Sequence, residues 1–424
     1  MIRQIWVVMM LVCLGASTVC MAAPAVEVTA KGNRGLRMAV VAPQPTSGMA
    51  HAELADTVAS IHAFDMTMAG VVQPEITSQP LLARGLVVSD TDFSRWATAG
   101  YELMVRGEYS LYGDSLVLEL RLYDVIGRKM LTAKRYTGRS ADVRKVAHLF
   151  SDEVVRVLTG EKGSFSSRIV FIATQSGTKE LHLMDWDGFN TQRLTNHRAI
   201  MLSPDVAPNG KAVLFTSYKR GNPDIYVRQL FEGTESLLSG RKGLNITGAW
   251  SPDGKQVAVT LSMDGSTDIY LLDTQGRNPQ RLTHGAGANI SPTWSPDSKQ
   301  IAFISDRHGK PNLFVMNRDG SHVRKLAGGA YLATPAWSPK GDQIAFTKLD
   351  GGFQVCVATL DGAVRQLTQA GNNERPRWSP DGRLLTFGSK RNGQEAVYVM
   401  RADGGGQTRV SKTSGLAQHP VWLP

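Results

Sequence analysis

The side chains best placed to do chemistry stand three to five residues ahead of a recurring Trp. They are Ser203, Asn245, Thr247, Asn289, Ser291, Thr334, Glu374, Arg375 and His419. Together they offer one carboxylate, one guanidinium, one imidazole and several short hydroxyls and amides. A metal centre needs a convergent set of His or carboxylate ligands. Here only Glu374 and His419, with Asp205 nearby, could contribute to one. The chain has no Gly-x-Ser-x-Gly elbow, His-Glu-x-x-His helix, Walker loop or Cys-x-x-Cys pair. Such a dispersed polar mixture, without nucleophile, base or cofactor cradle, suits the docking of another protein better than bond making. The expectation is therefore a protein that is not an enzyme and takes no cofactor.

These residues owe their placement to an internal repeat. Gly248-Ala-Trp-Ser-Pro-Asp-Gly254, Pro292-Thr-Trp-Ser-Pro-Asp-Ser298, Pro335-Ala-Trp-Ser-Pro-Lys-Gly341 and Pro376-Arg-Trp-Ser-Pro-Asp-Gly382 are copies of one word. Pro204-Asp-Val-Ala-Pro-Asn-Gly210 is a degenerate copy, and Pro420-Val-Trp422 a truncated one. The series Val206, Trp250, Trp294, Trp337, Trp378, Trp422 has spacings of 44, 44, 43, 41 and 44. That period fits one four-stranded propeller blade. In Ser-Pro-Asp-Gly, Pro presets φ at the second turn position and Gly suits the fourth. After each turn comes an apolar strand such as Ile301-Ala-Phe303, then an alternating strand such as Leu313-Phe-Val-Met316. No crossover helix fits between them, so the strands are antiparallel. Each Trp is expected to pack between neighbouring blades, where its ring buries much apolar area.

Closure follows from the count. Ile169-Val-Phe171 begins a unit that lacks its preceding Trp segment, while Trp422 has no apolar strand after it. The two incomplete ends complement each other, which gives six whole blades sealed by the C-terminal segment, with no open edge.

The first third of the chain lacks the repeat. Leu36-Arg-Met-Ala-Val-Val41 reads as a strand, and 51–69 carries Leu54, Val58, Ile61 and Met68 at helical spacing. Residues 92–99 read as a short helix capped by Thr91, and 101–109, 115–124 and 129–136 as a meander. Ser140 opens a last helix that Gly160 stops. The fold expected is mainly β: a six-bladed β-propeller over 163–424, preceded by a small α/β domain with a mixed sheet over 35–162.

Ahead of both, Arg3, the apolar run 5–14 and small residues ending at Ala22 and Ala23 read as a signal peptide over 1–22. The apolar run is too short to span a bilayer comfortably. Residues 23–34 then form a mobile arm carrying the strand-like word Ala25-Val-Glu-Val-Thr29. Cleavage would leave Cys356 as the only cysteine, with no internal partner for a disulfide; a buried thiol is expected. The net charge of +10 is spread along the chain rather than clustered. No basic run interleaved with aromatics points to nucleic acid.

The junction Leu158-Thr-Gly-Glu-Lys-Gly163, leading into Arg168-Ile-Val-Phe171 and six units built on the Trp-Ser-Pro-Asp-Gly repeat, resembles the TolB family of the Tol-Pal system. Val206-Ala207 and Leu423 depart from the Trp-Ser pattern at the two ends of the series. The resemblance implies a periplasmic protein whose propeller face binds the lipoprotein Pal and whose arm, through Ala25, Val26, Glu27, Val28 and Thr29, binds TolA. It also implies a part in outer-membrane integrity and in invagination during cell division. The competing reading is a secreted propeller that acts on a ligand or substrate through its axial loops.

Overall fold

The computed structural model describes residues 35–46, 50–77, 88–175, 177–285 and 287–424. The expected signal peptide and the arm residues Ala25, Val26, Glu27, Val28 and Thr29 lie outside the described residues. No helix among the described residues is long and apolar enough to cross a membrane.

The N-terminal region is a mixed sheet with two long helices against it. In chain order it contains β1 (Leu36–Val41), β2 (Gln44–Pro45), α1 (Ala52–Ala69), β3 (Val72–Thr77), α2 (Asp90–Thr98), β4 (Leu103–Tyr112), β5 (Ser115–Asp124), β6 (Lys129–Arg139) and α3 (Val143–Thr159). The order across the sheet is β3-β1-β4-β5-β6, with β2 pairing β4. β1 runs parallel to β3 and β4, while β4, β5 and β6 form an antiparallel meander. Alternate residues Leu116, Leu118, Leu120 and Leu122 of β5 are buried in the core, the period-2 signature of a strand with one covered face. α2 starts earlier than the sequence suggests. Its cap is Ser89, not Thr91, because Ser89 and Asp92 satisfy each other's backbone donors in a capping box. α3 ends at Gly160, which adopts the left-handed conformation (φ 78°).

The rest of the chain forms six four-stranded antiparallel sheets. Blade 1 is completed by the C-terminus: Ala417–Leu423 pairs antiparallel with Arg168–Gln175, with Trp422 opposite Ile169. The inner strands of blades 2 to 6 are Met201–Val206, Asn245–Trp250, Asn289–Trp294, Tyr331–Trp337 and Asn372–Trp378. The Trp residues bridge blades as well as filling space. Trp294, Trp378 and Trp422 donate Nε1–H to the carbonyls of Ala249, Ala336 and Arg377 on the preceding blade, at 3.1, 3.0 and 3.1 Å. Where the residue on the preceding blade has a side-chain oxygen acceptor, that oxygen takes a backbone N–H instead. Asp205 accepts from Trp250 N at 3.0 Å and Thr293 from Trp337 N at 3.4 Å. Cys356 is a free, buried thiol whose pKa burial pushes up to about 11.

The α/β region packs on the end of the ring that carries the Ser-Pro turns. Trp186, from the outer turn of blade 1, stacks on Phe64 of α1 with ring centroids 5.0 Å apart and also meets Phe165. Beside it, His148 of α3 lies between two carboxylates: Nδ1 is 2.9 Å from Asp65 of α1 and Nε2 is 3.3 Å from Asp187 of blade 1. Arg144 pairs with Asp187 as well. His62 continues the buried chain to Ser151 at 2.8 Å. A side chain at Gly188 would overlap the Val410 carbonyl, so only glycine fits this turn between blades 1 and 6. At the rim, Glu161 pairs with Lys340 and Arg383, both at 2.9 Å. Among the described residues the α/β region leaves the opposite end of the ring open.

Candidate functional site

The open end is organised by one backbone device used six times. Each inner strand carries a register shift just before its Pro-x-Trp segment, and one residue there takes a left-handed conformation. These residues are Ser203, Thr247, Ser291, Thr334, Arg375 and His419, with φ between 44° and 56°. Positive φ is uncommon for non-glycine residues and an outlier for β-branched Thr. Such outliers gather at functional sites, where the surrounding structure holds them. A bulge re-aims the side chain it carries. The result is a ring of four hydroxyls, one guanidinium and one imidazole around the propeller axis.

Hydrogen bonds within and between blades fix the ring. The Ser291 and Arg375 backbone N–H groups donate to Thr260 and Thr347 of the preceding blades at 3.2 and 3.0 Å. Thr247 and Thr334 meet Thr260 and Thr347 through their hydroxyls, at 2.7 and 2.8 Å. The Ser203 backbone N–H donates to His419 Nδ1 at 3.2 Å. That bond assigns the remaining imidazole proton to Nε2. Burial, with Arg375, Lys179 and Arg377 close by, holds the His419 pKa well below the usual imidazole value. Arg375 Nη1 donates to Ser203 Oγ at 3.2 Å. Burial and then Arg377 push the Arg375 guanidinium down to about 10, so it stays charged at neutral pH.

Of the residues singled out from sequence, these six converge. Glu374 is exposed at the rim beside Arg375. Asn245 and Asn289 are fully buried and committed elsewhere. Asn245 accepts from Ser239 Oγ and Arg241 N, and donates to the Arg241 carbonyl. Asn289 bridges Asp268 and Arg307. Both hold turns within and between blades, and neither presents a free amide at the open face. Asn373 repeats the role in blade 6, bonding Gln354 and Ser389.

Sequence reasoning took Asp205 only as a possible metal ligand and missed Arg377 and the second layer that the two form. Asp205 and Arg377 occupy the position before the Trp, where sister blades carry Ala249, Thr293, Ala336 and Val421. Two opposite charges in an otherwise uncharged column were the available signal. Both line a cavity of about 310 Å³ at the turn end of the axis, walled by Trp294, Trp337, Trp378 and Trp422. Burial raises Asp205 to about 6, against the pull of Arg377 and the Trp250 N–H. Among the described residues no group of three His, Cys, Asp or Glu side chains could hold a metal ion. Glu374, His419 and Asp205 are thus not brought together as ligands. The ring can donate hydrogen bonds to a guest along its axis, and it has no nucleophile paired with a base.

Comparison with known proteins agrees with this architecture. Residues 155–424 match the TolB beta propeller domain and 24–131 the TolB amino-terminal domain. The chain is 50% identical over 403 residues to the Tol-Pal system protein TolB of Geobacter sulfurreducens, covering 94% of this chain and 93% of the relative. Its identity to the Geobacter metallireducens protein of that name is 47% over 400 residues, with the same coverage of each chain. The crystal structure of TolB from Acinetobacter baumannii superposes with a TM-score of 0.81 at 26% identity, covering 92% of this chain and 97% of that one. With both domain models matched and relatives aligned nearly end to end, the chain belongs to the TolB family of Tol-Pal system proteins.

Proposed function

We propose that this protein is a non-enzymatic periplasmic scaffold that binds Pal through the open axial face and TolA through its N-terminal arm. In this reading residues 1–22 direct export and are removed, 23–34 form the arm, and 35–162 and 163–424 are the two folded domains. The joined partners support outer-membrane integrity and its invagination in cell division. The observation that carries the reading is the ring of six left-handed residues at the uncovered end of a closed propeller. Those bulges aim polar side chains at a shared axis, and the other end is occupied by the α/β region. A short extended arm suits strand addition to a partner's sheet edge.

Two pull-downs test the two halves. The mature chain is expected to retain purified Pal of the same organism one to one, and Glu374→Lys to weaken retention. Removal of residues 23–34 is expected to abolish capture of TolA and to spare capture of Pal. No capture of Pal at micromolar concentration contradicts the first half. Undiminished capture of TolA by the shortened chain contradicts the second.

A further inference from the structure

We infer that the axial throat is a carboxylate receptor, which takes an acidic side chain of the protein partner between Arg375 and His419. The inference rests on the reading that this face docks a protein, and it specifies what that partner must present.

Among the described residues no carboxylate is hydrogen-bonded to either nitrogen-bearing side chain of the ring, Arg375 or His419. Arg375 is partly buried, and its guanidinium has five N–H donors in a fixed fork. Among the described residues its one side-chain hydrogen bond is to the Ser203 hydroxyl. Two other partly buried arginines of the propeller do reach a carboxylate. Arg281 reaches the Asp268 carboxylate at 2.6 Å, and Arg228 reaches Glu235 at 2.9 Å. Beside Arg375, His419 accepts from Ser203 N and so turns its N–H donor elsewhere.

None of the six ring residues is acidic. The nearby carboxylates are engaged or peripheral. Asp205 lies in the deeper layer with Arg377 and accepts from Trp250 N. Glu395 attracts Arg375 without bonding it; with the Gln418 amide turned so that its nitrogen faces Glu395 at 3.2 Å, the amide oxygen accepts from Lys179 at 2.9 Å. Glu374 is exposed at the rim and attracts Arg375 without bonding it. A desolvated guanidinium lacking a carboxylate costs free energy, and a planar bidentate acceptor relieves it best. That geometry selects a carboxylate over a cation, and over a neutral amide.

The test uses the mature chain labelled with ¹⁵N at arginine and histidine, titrated with acetate and, separately, with acetamide at constant ionic strength. Saturable shifts of the Arg375 and His419 signals with acetate, small shifts with acetamide, and loss of the acetate response in Arg375→Gln are expected. Equal responses to the two probes, or an acetate response that survives Arg375→Gln, overturn the inference. His419→Gln serves as the second variant if Arg375→Gln does not fold; it is expected to weaken acetate binding without abolishing it, and an unchanged response counts against the site. In a parallel arm, Arg375→Gln is expected to weaken Pal about tenfold or more, with Arg375→Lys intermediate. Pal binding unchanged in Arg375→Gln overturns the inference and leaves the docking function intact. If the wild-type chain fails to bind Pal at all, the docking reading fails, and the acetate titration still decides the throat.

Discussion

Two charged clusters lie at opposite ends of this propeller, and they are built differently. At the seam with α1 and α3, His148 stands between Asp65 and Asp187, and Arg144 completes the set. Burial alone would strip His148 of its proton, but the two carboxylates outweigh it and lift the pKa to about 10. Burial raises Asp65 to about 6 despite that same attraction. In the throat, among the described residues, the Arg375 side chain hydrogen-bonds only the Ser203 hydroxyl, and burial keeps His419 neutral. The seam sets each of its charges against an opposite one drawn from α1, α3 and blade 1. The throat keeps donors unspent at a place a partner can reach. A buried charge set that is internally matched fixes geometry, whereas an unmatched one awaits a ligand.

Mutation should separate the two clusters. The largest effect is expected at the seam. His148→Ala leaves two buried carboxylates facing each other and should cost about 3–5 kcal/mol of stability, measured by urea denaturation, while Pal affinity of the folded protein changes little. An equally large loss in Arg375→Gln would erase the distinction. That variant should instead shift stability by about 1 kcal/mol or less, since it removes one neutral-acceptor hydrogen bond and relieves a desolvated charge. Smaller still is the rim contact. Glu161 is 53% exposed where it meets Lys340 and Arg383, so Glu161→Gln should cost well under about 1 kcal/mol.

pH sharpens the same contrast. The His148 pKa is higher in the folded protein than its ordinary value of 6.5. Its contribution is therefore fully present below pH 6.5 and is lost as pH rises through about 10. The melting-temperature difference between wild type and His148→Gln should shrink steadily over that window. A difference that stays constant from pH 6.5 to 10 would mean that His148 is not held as a cation.

Much of the propeller was legible before any coordinates, because its signals are local and repeated. The Ser-Pro-Asp-Gly turns and the period of the Trp residues specify each blade, and the complementary half-units at Ile169 and Trp422 specify the closure. The axial ring was partly legible for the same reason: fixed distance from the Trp located Ser203, Thr247, Ser291, Thr334, Arg375 and His419. The same nearness to the Trp also took in Asn245 and Asn289, two residues further upstream. Those amides lie on the other side of the bulge and are buried, where they hold turns within and between blades. The seam was not legible at all. Asp65, His148 and Asp187 come from three distant segments with no shared spacing, and only the packing of α1 and α3 on blade 1 joins them. The start of α2 shows the same limit on a small scale, since Ser89 and Thr91 both suit a cap and the match of Ser89 to Asp92 decides between them.

Hydrogen–deuterium exchange of the mature chain with and without purified Pal tests the central claim most directly. The account predicts new protection confined to the loops that lead into Ser203, Thr247, Ser291, Thr334, Arg375 and His419, with none at the Ser-Pro turns of the opposite end. Protection centred on those turns, or on the seam around His148 and Trp186, would contradict it.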